Sequence, residues 1–328
     1  MAHALRLARR GLGNVWPNPA VGCVLVRGGR IVGRGWTRPG GRPHAERVAL
    51  DQAGGDARGA TAYVTLEPCA HHGQTPPCAD ALIGAGVARV VSAMTDPDPR
   101  TAGQGHARLR RAGIEVTEGI RAAEAAHLQR GFVLRVTEGR PLVTLKLACT
   151  LDGRIATASG ESRWITAAPA RARVHLLRAQ HDAVMVGGGT ARADLPALNV
   201  RGLGDLRQPL RVVLSSRELP SAIPPEDAAH GPLIRLGGEP GAVLADLAAR
   251  GVTRVFCEGG GQLAAGLLSA GLVDDLVVFG AGLALGAGGV PAIAALPDGP
   301  LGAAPRFRLT DAAPVGPDLY QLWTRVPA

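Results

Sequence analysis

Short apolar segments alternate with helical segments along the whole chain, and this alternation restricts the possible folds more than any other feature. Between residues 3 and 130 the apolar residues recur with helical spacing in four segments: ALRLARRG, HAERVALDQAG, CADALIGAG and GHARLRRAG. AVGCVLVRGGRIVGRGW predicts a hairpin with a Gly-Gly turn, and three further segments predict strands: TAYVTLEP, ARVVSAM and IEVTEGI. These elements predict an α/β/α sandwich, in which helices cover a central sheet.

A second α/β series follows residues 139–141, where Gly-Arg-Pro marks a domain boundary. Six segments predict strands: LVTLKLA, DAVMVGG, LRVVLSS, PLIRLG, TRVFCEGG and DLVVFGA. Two segments between them predict helices, AARARVHLLRAQ and QLAAGLLSAG. We therefore expect two domains, 1–139 and 140–328, the second with a mostly parallel sheet; 328 residues allow each its own core.

Composition and charge narrow the functional classes. No segment approaches the ~20 unbroken apolar residues of a membrane helix, and MAHALRLARRGLG has no signal-peptide core, so we expect a cytoplasmic protein that does not bind membranes. The five cysteines are scattered and odd in number, which favours metal ligands or buried thiols over disulfides. The net charge of +9 is spread along the chain and does not specifically indicate nucleic acid; phosphorylated small molecules suit this charge equally well, and a solvated surface alone also explains it.

Lys146 is the only lysine among the 36 basic residues, so arginine carries the positive charge everywhere else. An ammonium group fits a narrow pocket as a compact donor and can lose its proton, which a guanidinium cannot. The flanking sequence PLVTLKLACTLDG is apolar and strand-like. This setting predicts a functional lysine and not a surface one.

His44, Cys69 and Cys78 have the residue types and order of a zinc site. His44-Ala45-Glu46 opens a predicted helix, and Glu67-Pro68-Cys69 follows a predicted strand. One imidazole and two thiolates leave a fourth tetrahedral position for water, as in catalytic zinc sites. Glu46, two residues from a ligand, is placed to take the proton of that water and return it to the ring nitrogen and the leaving ammonia. The pattern predicts one zinc ion per chain and a hydrolytic deaminase.

Two other readings of the cysteines and histidine make different predictions. A tRNA or free-nucleoside deaminase predicts a shorter spacing between the cysteines and no second α/β domain. A non-catalytic zinc module predicts a fourth protein ligand and no role for Glu46. Here eight residues, AHHGQTPP, separate Cys69 from Cys78, and a second α/β domain follows, so the chain has neither feature that the first of these readings predicts.

The second half carries signs of a phosphate-bearing cofactor. The strands DAVMVGGGT and TRVFCEGGGQ both end in three glycines, and such turns bring backbone N–H groups to phosphates. Ser215-Ser216-Arg217 ends another strand, where hydroxyls and an arginine favour the 2′-phosphate of NADP over NAD. Tight helix–strand packing is the alternative explanation of the glycines. The third sign is Lys146, with Asp152 in LACTLDGRIA and Asp194 in TARADLPAL.

The chain resembles the bifunctional RibD family of riboflavin biosynthesis over nearly its whole length. The resemblance rests on TLEPCAHHGQTPPCADALI, PNPAVGCVLV, GRPHAE and DPDP in the first half, and on LKLACTLDGRIATASGESRWIT, LLRAQHDAVMVGGGTARADLPALNVR and FCEGGGQLAAGLL in the second. It implies a cytidine-deaminase-like domain followed by a dihydrofolate-reductase-like domain. The first would deaminate 2,5-diamino-6-(5-phosphoribosylamino)pyrimidin-4-one, and the second would reduce the ribosyl group of 5-amino-6-(5-phosphoribosylamino)uracil to ribityl with NADPH.

The same resemblance implies individual roles. Asn18 would fix the pyrimidine and His71 would contact the ribose phosphate, whereas Gln74 and Asp98 depart from the Lys or Arg and the Asn usual in the family. Lys146 or Asp194 would aid proton transfer in the reductase. The expected NADPH contacts are Ala148, Trp164, Thr190, Ser216, Gly260 and Gly261. The expected substrate contacts are Ser162, Arg178, Asp194, Leu198, Arg201 and Glu258. A homo-oligomer, dimer or tetramer, is also expected.

Overall fold

The computed structural model describes residues 1–71 and 76–326. The chain divides into two compact units, Met1–Gly139 and Arg140–Ala328. Gln74, where the sequence departs from the family pattern, lies outside the described residues. In the described part of the chain, no helix has the length and apolar character needed to cross a membrane.

The first unit is a five-stranded sheet with helices on it. Its elements in chain order are α1 (Ala2–Ala8), β1 (Gly22–Arg27), β2 (Arg30–Trp36), α2 (Ala45–Ala53), β3 (Thr61–Val64), α3 (Cys78–Gly84), β4 (Arg89–Ser92), α4 (Gln104–Arg111), β5 (Glu115–Thr117) and α5 (Ala122–Glu138). The strand order is β2-β1-β3-β4-β5. β1 pairs antiparallel with β2 and β3, and the rest of the sheet is parallel.

Two glycines of β2 bring α2 very close to the sheet. A Cβ atom on Gly33 would overlap the carbonyl oxygen of Ala49, and one on Gly35 would overlap that of Ala45. The helix face turned to the strand is made of buried alanines, so no side chain separates the two backbones. This contact fixes the position of the first turn of α2.

The 17-residue helix α5 was not identified from the sequence. It ends at Glu138, and the next residue, Gly139, has a left-handed φ of 68°, as at many helix C-termini. Leu128 packs on Ala8 and Ala20, and the Gln129 side chain donates a hydrogen bond to the Ala20 carbonyl. Helix α5 thus completes the core of the first unit by packing against the segment that contains Ala8 and Ala20.

The second unit is built on an eight-stranded sheet. Its elements in chain order are β6 (Leu142–Thr150), β7 (Arg154–Ala156), α6 (Ala168–Ala179), β8 (Ala183–Gly187), α7 (Gly188–Asp194), β9 (Leu210–Leu214), β10 (Leu233–Leu236), α8 (Pro240–Ala249), β11 (Arg254–Cys257), α9 (Gly261–Ser269), β12 (Asp275–Ala281), β13 (Val290–Pro291), β14 (Phe307–Val315) and β15 (Asp318–Arg325). The strand order is β10-β9-β8-β11-β6-β12-β15-β14. The first six of these strands are parallel.

The C-terminal hairpin of β14 and β15 adds two antiparallel strands that the sequence analysis did not identify. Gly316, with φ of 64°, begins the two-residue turn between them. β14 is mostly exposed and has no alternating apolar pattern. The prediction of a mostly parallel α/β sheet is confirmed for the strands that it covered.

The carboxyl ends of the parallel strands gather the glycine-rich turns at one edge of the sheet. β8 lies between β9 and β11 in the sheet; β8 ends at Gly187, and β9 and β11 lead directly into Ser215 and Glu258. In open parallel sheets this edge is where ligands bind. The fold therefore places the predicted cofactor and substrate residues near one another.

Candidate metal centre and cofactor cleft

His44, Cys69 and Cys78 come together in the first unit. Their ligand atoms all lie within 4.8 Å of one another, and no other residue of the described chain joins this group. His44 immediately precedes α2, Cys78 begins α3, and Cys69 lies in the turn after β3. Three protein ligands, with no fourth among residues 1–71 and 76–326, match a catalytic zinc site and not a structural one.

The spacing of the three ligand atoms fits zinc. His44 Nδ1 lies 3.3 Å from Cys78 Sγ and 3.7 Å from Cys69 Sγ. Tetrahedral zinc, with Zn–S near 2.3 Å and Zn–N near 2.0 Å, separates a nitrogen and a sulfur ligand by about 3.5 Å. Hydrogen bonding from Cys78 lowers the pKa of the Cys69 thiol to about 4, which favours the thiolate that a metal requires.

Glu46 lies beside this centre, on the first turn of α2. Glu46 is only 3 % exposed, and its carboxyl group is near enough to His44 and Cys78 for both to affect its pKa. Burial raises the pKa of this carboxyl group. A buried carboxyl group with few competing partners is suited to move protons next to a metal.

Glu67 anchors the turn that carries Cys69. Its buried carboxylate accepts hydrogen bonds from the backbone N–H groups of Asp96 (3.1 Å), Gly103 (2.9 Å), Gly105 (2.8 Å) and His106 (3.2 Å). These groups belong to the start of α4 and the loop before it, so one side chain ties β3 to α4. A Cβ on Gly105 would overlap the Pro68 carbonyl oxygen, which shows how closely the two segments pack.

Arg108 connects the two cysteine-bearing segments from α4. It donates to the Ala70 carbonyl oxygen at 3.1 Å and pairs with Asp80 on α3 at 2.7 Å. Ala70 follows Cys69, and Asp80 lies two residues after Cys78. Arg108 therefore restrains both thiols from one side.

The other deaminase residues expected from the sequence have distinct surroundings. The Asn18 amide nitrogen donates to the Gly41 carbonyl oxygen at 2.7 Å, which leaves the Asn18 side-chain oxygen as an acceptor. Arg100 binds both carboxylate oxygens of Asp98 and lowers its pKa to about 2, and His71 adds a smaller attraction. Asp98 is therefore an ionised residue already paired with an arginine.

Lys146, Glu258 and Arg178 form a charged cluster in the second unit. Arg178 Nε and Nη2 donate to the two Glu258 oxygens at 2.5 and 3.1 Å, and Lys146 Nζ lies 3.9 Å from Glu258 Oε2. Burial opposes ionisation of Glu258, but Arg178 and Lys146 outweigh it and lower the pKa of this carboxyl group. Burial also lowers the pKa of Lys146, against the attraction of Glu258.

Arg201 is linked to the same cluster through Asn199. Arg178 Nη1 donates to the Asn199 backbone oxygen at 2.8 Å, and Arg201 Nη1 donates to its side-chain oxygen at 3.2 Å. The Arg201 backbone N–H donates to His175 Nδ1. Burial lowers the pKa of His175, and the two arginines lower it further. The Arg201 guanidinium makes no ion pair with a described residue.

A cleft of about 650 Å³ opens at the carboxyl edge of the sheet. Thr190, Gly260 and Gly261 line it, and the Gly260 N–H donates to the Thr190 hydroxyl at 3.2 Å. A Cβ on Gly261 would lie 2.8 Å from the Pro291 carbonyl oxygen, whereas one on Gly189 would meet no atom within 4 Å. Gly261 therefore allows the segment around Pro291 to pack closely in the cleft wall, and Gly189 leaves its backbone accessible to a ligand.

Asp152 fixes one wall of this cleft. Its carboxylate accepts hydrogen bonds from the backbone N–H groups of Leu285 (3.2 Å) and Gly286 (2.6 Å). The chain then leads to Pro291, which lines the cleft and is part of β13, paired with β7. Asp152 thus holds the loop that positions Pro291.

A second depression of about 390 Å³ is lined by the same glycines, Gly188 and Gly189. Ser216, Arg217 and Arg192 also line it. Ser215, the neighbouring hydroxyl, is buried and bonds to the Arg217 backbone. This depression is suited to an anionic group such as a ribose phosphate, because two arginines, the exposed Ser216 and an open glycine backbone line it.

The remaining predicted residues are placed less centrally. Trp164 is 68 % exposed, with the Arg171 guanidinium 4.4 Å from its ring centre. Arg163, next to Ser162, donates to the Asp194 carbonyl oxygen at 3.0 Å, so these two segments adjoin. Leu198 is buried in the core with φ of 52°, and Ala148 lies two residues beyond Lys146, on the same face of β6.

Two known protein families match the two units. Residues 1–94 match the cytidine and deoxycytidylate deaminase zinc-binding region, and residues 141–320 match the RibD C-terminal domain. The riboflavin biosynthesis protein RibD of Escherichia coli K12 is 43 % identical over 366 aligned positions, covering 97 % of this chain and 96 % of the relative. The chain belongs to the RibD family.

Solved RibD structures agree with this assignment over the full length. The Acinetobacter baumannii RibD structure has a TM-score of 0.90 at 40 % identity, with 99 % of this chain and 98 % of the other covered. The Thermotoga maritima structure, described as a diaminohydroxyphosphoribosylaminopyrimidine deaminase/5-amino-6-(5-phosphoribosylamino)uracil reductase, has a TM-score of 0.87 at 34 % identity, with 99 % and 97 % covered.

RibD membership confirms several predictions made from the sequence. The fold class is an α/β cytidine-deaminase-like unit followed by a dihydrofolate-reductase-like RibD C-terminal domain. The chain is a bifunctional riboflavin biosynthesis enzyme with a zinc-binding deaminase region and a reductase region.

Sequence reasoning did not identify four residues that support the RibD sites. Glu67 and Arg108 hold the zinc-binding turns, and Asn199 and Arg192 lie among the reductase residues. Glu67 directly precedes the Pro-Cys pair, which is a local signal for a positioning role. Arg108 and Arg192 act on segments distant in sequence, and no local pattern marks them.

Proposed function

We propose that this chain catalyses two successive steps on one phosphorylated pyrimidine. The first unit would deaminate 2,5-diamino-6-(5-phosphoribosylamino)pyrimidin-4-one, and the second would reduce the ribosyl group of the product to ribityl with NADPH. The observation that carries the proposal is that one chain contains both sites. The first unit has the three-ligand centre beside Glu46, and the second has Lys146 in a charged cluster near the sheet edge that forms the glycine-lined cleft.

In the deaminase site, His44, Cys69 and Cys78 would hold zinc. Zinc, when bound, supplies a Lewis acid that makes water nucleophilic at neutral pH. Glu46 would accept a proton from the attacking water and deliver protons to the ring nitrogen and to the leaving ammonia. Its burial keeps bulk water from competing for these transfers.

Substrate orientation in this site would come from Asn18 and His71. Because the Asn18 amide nitrogen is occupied by Gly41, its free oxygen would accept a hydrogen bond from an N–H group of the pyrimidine. His71 is exposed and would contact the ribose phosphate. Asp98, which is ionised and paired with Arg100, would orient this arginine and would not bind the phosphate itself.

In the reductase site, the Lys146 ammonium would donate a proton to the sugar oxygen. NADPH, when bound, supplies the hydride for C1′ of the opened ribose. Lys146 is favoured over Asp194 because its ammonium lies in the cluster with Glu258, and its lowered pKa eases proton release. Arg178 uses its guanidinium on Glu258 and Asn199, so it would orient Glu258, and Arg201 would bind the phosphate.

The cofactor would be held by the cleft and the depression beside it. Thr190, Gly260 and Gly261 would meet the nicotinamide half, and Trp164 and Ala148 would contact it from neighbouring segments. Ser216 would bind the 2′-phosphate, with Arg192 and Arg217 providing charge. Ser162, Leu198 and Asp194 would complete the substrate side.

We also propose a homo-oligomer, dimer or tetramer, and a cytoplasmic location. The family resemblance supports the first. The free thiols of Cys69 and Cys78 support the cytoplasmic location, since they must stay reduced to bind zinc and the cytoplasm is a reducing compartment. Analytical ultracentrifugation of the purified protein measures the oligomeric state directly.

One experiment tests both activities. Ammonia release from the diaminopyrimidine and NADPH oxidation with the deaminated intermediate are measured on wild type and on Glu46→Gln, together with zinc content. We expect the variant to keep its zinc and its NADPH oxidation and to lose ammonia release by 10²–10⁴-fold. Full ammonia release by a zinc-loaded Glu46→Gln would refute the deaminase mechanism, and a wild type that oxidises no NADPH would refute the reductase.

A further inference from the structure

A groove of about 450 Å³ lies on the first unit between α1, α2 and the edge strand β2. Its lining comes from these three elements and the segments that follow α1 and β2: His3, Leu7, Arg10, Arg34, Trp36, Arg38, Val48 and Gln52. None of these residues is a zinc ligand or belongs to the proposed deaminase contacts. Three arginines and a histidine line this groove, which we call the α1–β2 groove, and in the described chain no acidic residue does.

The charge of the α1–β2 groove is not compensated. Several other arginines of this unit do pair with carboxylates, as Arg27 does with Asp56 and Arg89 with Glu115. Arg10, Arg34 and Arg38 form no ion pair with any residue that the structure describes. Like charges held together repel one another, and a bound anion removes that repulsion.

Trp36 holds two of the guanidinium groups in place. The Cζ atom of Arg38 lies 3.9 Å from the centre of the indole ring, and that of Arg10 lies 4.9 Å away. Both distances are within the range of cation–π attraction. The ring thus preorganises two charged groups with their N–H donors still available for a ligand.

His3 adds an unsatisfied polar atom. Its Nε2 is buried and has no hydrogen-bond partner among the described residues. Burial lowers the pKa of His3, and Arg6, Arg34 and Arg10 lower it further, which reports the positive potential at this point. A bound anion would reverse the effect of the arginines and give Nε2 an acceptor.

We propose that the α1–β2 groove is a binding site for a phosphate group of a small metabolite, separate from both catalytic sites. Planar guanidinium groups bind phosphate oxygens through paired hydrogen bonds, and a groove of this volume accepts a molecule of mononucleotide size. Two features connect it to the deaminase: Val48 and Gln52 lie on α2, which directly follows His44, and the Arg38 N–H donates to the Pro43 carbonyl oxygen. A ligand here would therefore touch the helix that carries Glu46.

The test uses the full chain labelled with 5-fluorotryptophan, with the Trp36 ¹⁹F resonance assigned by Trp36→Phe. NADPH in excess occupies the reductase cleft, and inorganic phosphate, pyrophosphate and AMP are then titrated separately. We expect a saturable shift of the Trp36 resonance at millimolar or lower concentration. Arg34→Gln should weaken binding about tenfold or more, because it removes a charge-assisted pair of hydrogen bonds.

Arg30→Gln is the matched control, since Arg30 is an exposed arginine of the same strand that does not line the groove. It should leave the affinity within about twofold, as for a screened surface charge. An equal loss in Arg30→Gln and Arg34→Gln would show non-specific attraction and refute the site. So would a Trp36 signal that moves only with a long polyanion such as polyuridylate, or with none of the probes.

Discussion

Replacing Lys146 with methionine and, separately, with arginine tests the proposed proton donor. Methionine matches the length of lysine without its charge, whereas arginine keeps the charge but does not release a proton near neutral pH. Because Glu258 retains both hydrogen bonds from Arg178, at 2.5 and 3.1 Å, neither change leaves a buried carboxylate unpaired. We therefore expect the folded state to lose no more than about 1–2 kcal/mol in the methionine variant.

The expected catalytic loss is much larger. Removal of a general acid slows its step by 10²–10⁴-fold, which is about 3–5 kcal/mol of transition-state stabilisation. NADPH oxidation with the deaminated intermediate should fall by this factor in both variants, and ammonia release from the diaminopyrimidine should be unchanged. An arginine variant with wild-type reductase turnover would show that charge suffices, and a methionine variant within about threefold of wild type would refute any catalytic role.

The pH dependence of the same reaction gives a second readout. Burial lowers the pKa of Lys146, and the donor must be protonated. Reductase turnover should therefore fall as pH rises through this lowered pKa, at a pH below the ~10.4 of an ordinary lysine. A wild-type profile whose alkaline limb persists unchanged in the methionine variant would assign that limb to another group.

Three further changes have separate expected outcomes. Arg217→Ala should raise KM for NADPH about tenfold or more and leave KM for NADH nearly unchanged, as steady-state kinetics will measure. Asp152→Asn should weaken NADPH binding by freeing the loop before Pro291, without altering ammonia release; calorimetric titration with NADPH checks this, and unaltered affinity would contradict it. Glu67→Gln should destabilise the zinc-binding unit by about 2–4 kcal/mol, because it weakens hydrogen bonds to a buried carboxylate, and zinc release during denaturation measures it.

The zinc centre was predictable because residue type and order encode it. His44, Cys69 and Cys78 each lie in a short motif, and the structure brings their side chains together. The support of that centre was not predictable. Glu67 bonds to backbone groups 29 to 39 residues away, and backbone donors have no sequence signature.

The sequence predicted the helices and strands with periodic apolar residues and missed the others. In α5 the buried positions include Gln129 and Gly131, so its helical stripe is not apolar throughout. β14 buries almost nothing and contains Pro314; pairing with β15, itself paired with β12, determines its conformation. Tertiary pairing, rather than local preference, decides such segments.

The contact of Gly33 and Gly35 with α2 has an evolutionary consequence. A single added methyl group at either position would displace the helix outward and move Glu46 away from the metal ligands. No residue of the second unit takes part in that contact, so its own site would keep its arrangement. One base change from a glycine codon to an alanine codon could thus silence deamination and spare reduction, a short route from a bifunctional ancestor to a monofunctional descendant.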